Sequence, residues 1–323
     1  MYFCKNKKNN ILSNQNYTVP IQKERRNKPA LRSEIGFGLL HLAPLLAFFT
    51  GTTLFDWILC IFLYFFRMFF ITGWYHRYFA HRTYKTSRWF QFTIAFFAQT
   101  SIQKGAIWWA ANHRIHHKFS DTSKDPHSNN VYGFWYSHLG WIMGPDYKVT
   151  KTDLIKDYAK FPELMWLNKY HLIPGLFLLI VVFVVGGFTN GAIYGVSFID
   201  GALSAIVTGF FLSTILLFHG TFSINSLMHM IGKPRYDTGD LSKNSLSLAL
   251  VTLGEGWHNN HHYYQSSTRQ GFFWWEIDIT FYILKILSIF GLVWDLNPVP
   301  KHIKNSRNLD HAKELLKEYR EKK

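Results

Sequence analysis

Two stretches of the chain are almost unbroken apolar and aromatic sequence. Residues 36–75 form the first. A helix that crosses a bilayer needs about 20 such residues, so this block holds two spans joined by a tight turn, best placed at Thr50-Gly51-Thr52. Residues 172–223 form the second block, interrupted at GGFTNGAIYG (186–195), and again hold two spans. Both blocks are too long and too free of charge for core hairpins of a soluble protein. The pattern predicts four membrane helices in two hairpins.

Three further segments read differently. Residues 274–294, WWEIDITFYILKILSIFGLVW, are long enough to span but carry Glu276, Asp278 and Lys285. Each would cost about 2.5–3.5 kcal/mol at mid-bilayer, so the stretch reads as an interfacial helix with its apolar face among the headgroups. The run 89–102 is too short to span comfortably and reads the same way. Residues 309–322 place Ala312, Leu315, Leu316 and Tyr319 at i, i+3, i+4 and i+7, an amphipathic helix that covers a cytosolic cap. The domain plan is a basic arm (1–35), a membrane domain (36–300) and a basic C-terminal helix (301–323). The fold class is an all-α membrane protein with a helical cytosolic cap.

Charge orients this plan. The turns at 50–56 and 186–201 contain no Lys or Arg, whereas the N-terminal arm, the segment 76–171 and the C-terminal segment are rich in them. The positive-inside rule then puts both termini and the central segment in the cytoplasm. Four spans satisfy this and five do not. The net charge of +15 suits an anionic membrane surface better than nucleic acid, because the basic residues flank apolar blocks and match no nucleic-acid reader motif. The first 32 residues hold eight Lys/Arg and one Glu and no short apolar core with a cleavage site, so no secretory signal peptide is read there. Two cysteines, Cys4 and Cys60, make neither a disulfide framework nor a thiolate metal site.

The polar segments carry the candidate chemistry. Of 16 histidines, eight fall in three boxes. His76 and His81 stand in HRYFAH, His113, His116 and His117 in HRIHH, and His258, His261 and His262 in HNNHH. Positions i, i+3 and i+4 share a helix face, so each H-x2-H-H box can aim three imidazoles at one point. His76 and His81 are five apart, roughly 140° around an α-helix, which suits ligands of two separate ions or a helix that ends between them. Imidazole without thiolate points to iron, zinc, copper or nickel and away from structural zinc and iron–sulfur clusters. One ion rarely takes more than five or six ligands, so this many histidines imply two metals.

With these boxes in hand, the chain resembles the integral-membrane fatty acyl desaturases of the stearoyl-CoA desaturase family. HRYFAHRTYKT, HRIHHKFSD, DPHS, SHLGW, NSLMH and GEGWHNNHH stand in that family's order, and the likeness covers residues 36 to about 300. The wording KGAIWWAA and HNNHHYYQSSTRQGFFWWEIDIT looks like bacterial members, which implies a bacterial inner membrane with the boxes facing the cytoplasm. The resemblance implies two iron ions held by nine histidines, the ninth being His229 of NSLMH. It gives Asn225 of the same motif the task of holding a water at an open coordination position. His127 of DPHS is read as structural or as supporting a ligand. His138 and His219 are candidates to orient ligand rings, and His41, His171, His302 and His311 have ordinary structural roles.

The implied activity is insertion of a cis double bond, at the delta-9 position, into a saturated acyl chain. O2 and two electrons from a separate reductase and carrier drive it. The chain shows no haem-attachment pattern, dinucleotide loop or iron–sulfur cysteine set of its own, and its basic cytoplasmic face suits an acidic carrier. Tyr64, Met68 and Trp108 are expected along an acyl tunnel beneath the metals. The expected substrate is acyl-CoA, although one feature departs from animal relatives. Where these have a basic pair after S-H-x-G-W, this chain has Gly144 and Pro145 followed by Asp146, and Ala111 and Asn112 replace charged residues before the second box. Lys148 and Lys151 compensate from nearby. The alternatives are a membrane di-iron hydroxylase of alkyl or lipid chains and, in another class, a histidine-rich metal transporter, whose ligands would sit near the bilayer midplane.

Overall fold

A computed structural model of the chain describes residues 31–144 and 148–306, with side chains described from Ile35 onward. The helix expected at 309–322, His311, Cys4, Pro145 and Asp146 lie outside the described residues.

The apolar blocks fold as helical hairpins. Helix α1 (Leu31–Leu42) runs through a 3-10 turn into a short helix that ends at Thr50. Gly51, with φ +68, turns the chain where the sequence placed the turn. Helix α2 (Leu54–Ala80, 27 residues) returns. Its start is a capping box, in which the Thr53 hydroxyl accepts from the Asp56 amide and the Asp56 carboxylate accepts from the Thr53 amide. This box explains a buried carboxylate among apolar residues: Asp56 also accepts from Asn190 of the second hairpin at 2.8 Å. Among the described residues three helices are long and apolar enough to cross a membrane, namely α2, α5 (Ile173–Tyr194) and α6 (Phe198–His229). The apolar part before the first turn, Ile35–Thr50, is a shorter helix.

The second hairpin turns toward the far end of the stretch 186–201 expected for it. Helix α5 runs straight through GGFTNGAIY and ends at Gly195. Gly186 and Gly187 are contact residues rather than breakers. A Cβ on Gly186 would lie 2.2 Å from the Ala205 Cβ, and one on Gly187 would lie 2.4 Å from the Phe198 ring. Small residues of this kind let two membrane helices approach closely. Arg67, wholly buried in α2, donates to the Leu63 carbonyl and to the Ser213 and Thr214 hydroxyls of α6.

Above the hairpins lies a cap of shorter helices. Helix α3 (Arg88–Gln99) and α4 (Ala106–Phe119) pack on the upper half of α2 around Trp74, Tyr78, Phe79, Ile94 and Ile107. Helix α7 (His258–Tyr263) carries the third box, and α8 (Ile279–Ile289) closes the cap. At 11 residues, α8 is about 16 Å long, too short to cross a bilayer. Its acids are not exposed to lipid. Asp278 caps the helix and pairs with Arg77 at 2.9 Å, while Glu276 pairs with Arg235. The only sheet among the described residues is a two-residue antiparallel pair, Lys85–Thr86 with Val293–Trp294.

Candidate metal centre

The upper end of α2 is π-helical over Ile71–Ala80. A π turn closes i to i+5, and the His81 amide bonds the His76 carbonyl across that interval. Histidines five apart are thereby stacked on one side, with ring centroids 4.8 Å apart. The α-helical estimate of divergence fails for this reason, and the helix ends at the second of the two.

The boxes on α4 and α7 are each divided. His76, His81, His113, His117 and His261 bring one nitrogen each within 4.8 Å of one another, and His116, His229, His258 and His262 do the same. In both triplet boxes the residues of one box are split between the two groups. Helical geometry accounts for it: i and i+4 are about 40° apart, whereas i+3 and i+4 differ by about 100°. A box therefore aims at two points rather than one. On α4 the pair His113 and His117 goes to one group and His116 to the other, while on α7 the pair His258 and His262 goes to one and His261 to the other. All nine histidines singled out in the sequence are in the two groups, and all meet through Nε2. In the five-membered group the separations are 3.0 Å for His76–His261, 2.9 Å for His113–His81, 3.0 Å for His117–His113 and 2.9 Å for His261–His117. In the other they are 3.1 Å for His229–His258 and 3.4 Å for His116–His262.

Carboxylates fix the tautomers. Nδ1 of His76 contacts Glu255 at 2.6 Å, His116 contacts Asp125 at 3.1 Å, His229 contacts Asp121 at 2.9 Å and His262 contacts Asp240 at 2.6 Å. A proton committed to Nδ1 leaves a lone pair on Nε2. The Nε2 atoms of His116 and His262 thus face each other at 3.4 Å with both Nδ1 atoms held by carboxylates, a pairing that a cation between them satisfies when both rings are neutral. The spacing also fits a metal. Ligands about 2.1 Å from an ion are about 3.0 Å apart at right angles and about 3.4 Å apart in a tetrahedron. The five-membered group matches the first value. Burial, reinforced by neighbouring imidazoles, holds His81, His113, His117, His258 and His261 well below the ordinary histidine value. Burial also takes His262 down to about 4, against the pull of Asp240. These rings are neutral and ready to ligate at pH 7. His116 differs: burial opposes its charged form, but Asp125 outweighs it and raises the value.

Asp121, Asp125 and Glu255 lie inside the sequence motifs and Asp240 lies between them, yet no spacing rule gives any of the four a role. Their placement depends on loops. Asp121 has φ +59 just past the end of α4, and there it reaches His229 and the Leu241 amide. Gly254 stands at φ +124, where a Cβ would come within 2.5 Å of the Asp278 carboxylate. Only glycine lets the Glu255 loop close down on Arg77 and Asp278. The asparagines of HNNHH are braces. Asn259 accepts from the Arg235 and Tyr236 amides at 2.7 Å, and Asn260 donates to Glu276 at 2.9 Å. His127 packs on the His116 ring at 4.4 Å, beside Asp125. His138 and His219 bond each other rather than any of the nine, and they hold Ser226 and His41.

Two cavities meet beside the histidines. The smaller, about 10 Å³, has room for roughly one water and is lined by His76, His113, Thr221, Asn225 and Glu255 among others. The larger, about 190 Å³, is walled by Phe37, Trp108, Trp141, Phe218, Phe222 and neighbours, and shares Trp109, Thr221 and Asn225 with the first. Trp108 lines it as expected. Tyr64 and Met68 do not: they pack with Ile71, Leu217 and Leu253, and the Tyr64 hydroxyl donates to the Val251 carbonyl. A third, basic recess opens at Lys104 and Trp108 and is lined by Lys148, Lys169 and His171.

The fatty acid desaturase family model matches residues 52–285. The chain is 35% identical to the sn-2 palmitoyl-lipid 9-desaturase of Nostoc sp. (strain 36), over 84% of this chain and 92% of that one. It is 34% identical to the sn-1 stearoyl-lipid 9-desaturase of Anabaena variabilis, over 72% and 79%. It is also 34% identical to an acyl-CoA 5-desaturase of Anemone leveillei, over 71% and 67%.

Proposed function

The chain belongs to the fatty acid desaturase family, and on that premise we propose that it inserts a cis double bond at the delta-9 position of a saturated acyl chain, using two irons held by the nine histidines. The observation that carries the metal reading is the convergence of nine imidazole nitrogens in two groups, the atoms of each lying within 4.8 Å of one another. The donor set supports it further, with five nitrogens in one group and four in the other. The four-membered group has fewer protein ligands, which leaves room for a water there.

When bound, the irons supply the oxidising power that an unactivated methylene requires. Overall, one CH2–CH2 unit gives up two hydrogens, and O2 takes these with two external electrons and two protons to leave two waters. The protein's own part is positioning. Asp121, Asp125, Asp240 and Glu255 hold the ring tautomers. Trp109, Thr221 and Asn225 separate the acyl cavity from a chamber that admits about one small molecule. The electrons come from a separate reductase and acidic carrier. Exposed Lys118 and Arg82 flank the half-buried ligands His117 and His81 and suit such a partner.

For the acyl carrier we place a membrane lipid first. A relative matched over 84% of this chain and 92% of its own is named for lipid-linked acyl groups. Acyl-CoA is the second reading, supported by the basic recess at the mouth of the acyl cavity. There burial, and then Lys148, lower the value of the Lys104 ammonium, a potential suited to phosphate. Lys148 lines this recess, whereas Ala111 is buried and Asn112 donates to the Trp108 carbonyl. The topology that goes with this function has four spans, Ile35–Thr50 being the first, with the cap and both termini cytoplasmic and residues 36–300 as the catalytic domain. The inner membrane of a bacterium is the setting we assign.

The test uses purified, iron-loaded enzyme with a reducing system, offered phospholipid vesicles and acyl-CoA separately. Product mass spectrometry with double-bond localisation should find a 9,10 double bond in the vesicle lipids. Hydroxylated chains, or a double bond on acyl-CoA alone, would overturn the chemistry or the carrier respectively.

A further inference from the structure

Helix α1 is held by a narrow stripe. Of its residues 35–42, only Phe37, Leu40 and His41 turn inward, at i, i+3 and i+4, while Ile35, Leu39 and Leu42 are more than half exposed. Phe37 reaches the wall of the acyl cavity, stacked on Phe218 with centroids 6.0 Å apart. The polar part of the stripe is a run of three imidazoles. His41 Nδ1 donates to the Phe37 carbonyl at 2.7 Å, so its Nε2 accepts from His219 Nε2 at 3.2 Å. His219 Nδ1 and His138 Nε2 lie 2.9 Å apart, and His138 Nδ1 lies 2.9 Å from Ser226 Oγ, whose hydroxyl donates to the Phe222 carbonyl at 2.9 Å. These contacts make one continuous run from α1 to Ser226 of α6. Its inner end grips the turn of α6 that carries Asn225, whose carbonyl also accepts from the Ser137 hydroxyl.

Polar side chains that bond across helices act as glue in a membrane. A helix fastened by one such run, with a cavity-lining ring on the same stripe, is a movable wall. We propose that α1 is a side gate through which the acyl chain of a bilayer lipid enters the cavity, and that His41–His219–His138 is its latch. The inference rests on the lipid-carrier reading above and assigns the route of access. The outer face of α1 is apolar and faces the bilayer, whereas a soluble acyl-CoA reaches the same cavity at the Lys104 end.

Two measurements test this in a background with Cys4 and Cys60 replaced by Ser. First, spin labels at Leu39→Cys and Leu216→Cys, both exposed, report the α1–α6 distance by pulsed EPR in metal-free protein. His219→Leu should add a second, longer population, and His219→Gln a smaller one. An unchanged distribution refutes the latch whatever the substrate is. Second, His41→Cys and His219→Cys are joined by a reducible bis-methanethiosulfonate linker in iron-loaded enzyme. Desaturation of vesicle lipid should fall at least about tenfold and return on reduction, while desaturation of added acyl-CoA stays within about twofold. Undiminished lipid turnover, or equal reversible loss on both substrates, overturns side access. Enzyme that before linking acts on acyl-CoA alone refutes the carrier reading instead, and the EPR distances still decide whether the latch exists.

Discussion

His116 and His262 face each other through Nε2 at 3.4 Å while Asp125 and Asp240 occupy their Nδ1 atoms. Two neutral rings so arranged bring their lone pairs together, which is unfavourable inside a protein unless a cation lies between them. The sequence places these residues 146 positions apart, on two helices, and the fold closes them on one point.

That relationship predicts how metal is shared. Replacing His262 or His258 by Ala should lower bound iron from two to about one per chain, because the five-membered group keeps all its donors. Replacing His113 or His261 should instead deplete the other group. Desaturation should fall by at least about a hundredfold in each case. Elemental analysis and Mössbauer spectra of the variants check the partition. A His262→Ala enzyme that retained two irons and full activity would remove it from the centre.

The carboxylates give a second prediction. Asp125→Asn and Asp240→Asn keep the shape but let the amide present a donor to Nδ1, which favours the wrong tautomer. Changes to such outer partners typically cost about 10–100-fold in metal affinity. Iron competition with a chelator should show a loss of that size, with the fold of the metal-free protein unchanged by circular dichroism. Equal affinity in variant and parent would mean the carboxylates serve only packing.

How much of this was legible follows from how local each signal is. The hairpins and the turn at Gly51 were readable because length and apolarity alone decide them. The nine histidines were readable as residues, since the structure brings together all those singled out. Their partition was not. The division of each box depends on the 100° step between His116 and His117, and the convergence of His76 with His81 depends on a π stretch that no spacing rule for α-helices contains. The second turn was readable only as the broad stretch 186–201, because Gly186 and Gly187 look like breakers until Ala205 and Phe198 are seen against them. Tyr64 and Met68 were placed on a tunnel by position in α2, but the cavity lies on the other side of α6, toward α1 and α4.

The glycines therefore predict a stability effect far from the chemistry. Gly186→Leu would force α5 away from α6 where a Cβ already meets Ala205 at 2.2 Å. Overpacking of this kind costs roughly 1–3 kcal/mol or more. The variant should melt several degrees lower in detergent and yield less folded protein. Gly186→Leu combined with Ala205→Gly should recover part of the loss, which a defect unrelated to this contact would not do.

Glu255 allows the sharpest separation of stability from catalysis. It is fully buried and serves two neighbours, His76 at 2.6 Å and Arg77 at 3.1 Å, while Arg77 keeps Asp278 at 2.9 Å. Burial raises the cost of its charge, but His76 and Arg77 together hold its carboxyl below the ordinary value. Glu255→Gln removes one of two counter-charges from a guanidinium that has no access to water, and breaking a buried pair from one side costs about 3–5 kcal/mol. The same change leaves one acceptor oxygen for His76 Nδ1 and Arg77 to share, where each has its own in the parent. Unfolding of the metal-free protein should therefore shift by several kcal/mol, and iron affinity should fall as well. Asp278→Asn, which touches Arg77 but none of the nine histidines, should reproduce the stability loss without the loss of affinity. If both variants lose iron equally, Glu255 acts only through the Arg77 pair and has no separate hold on His76.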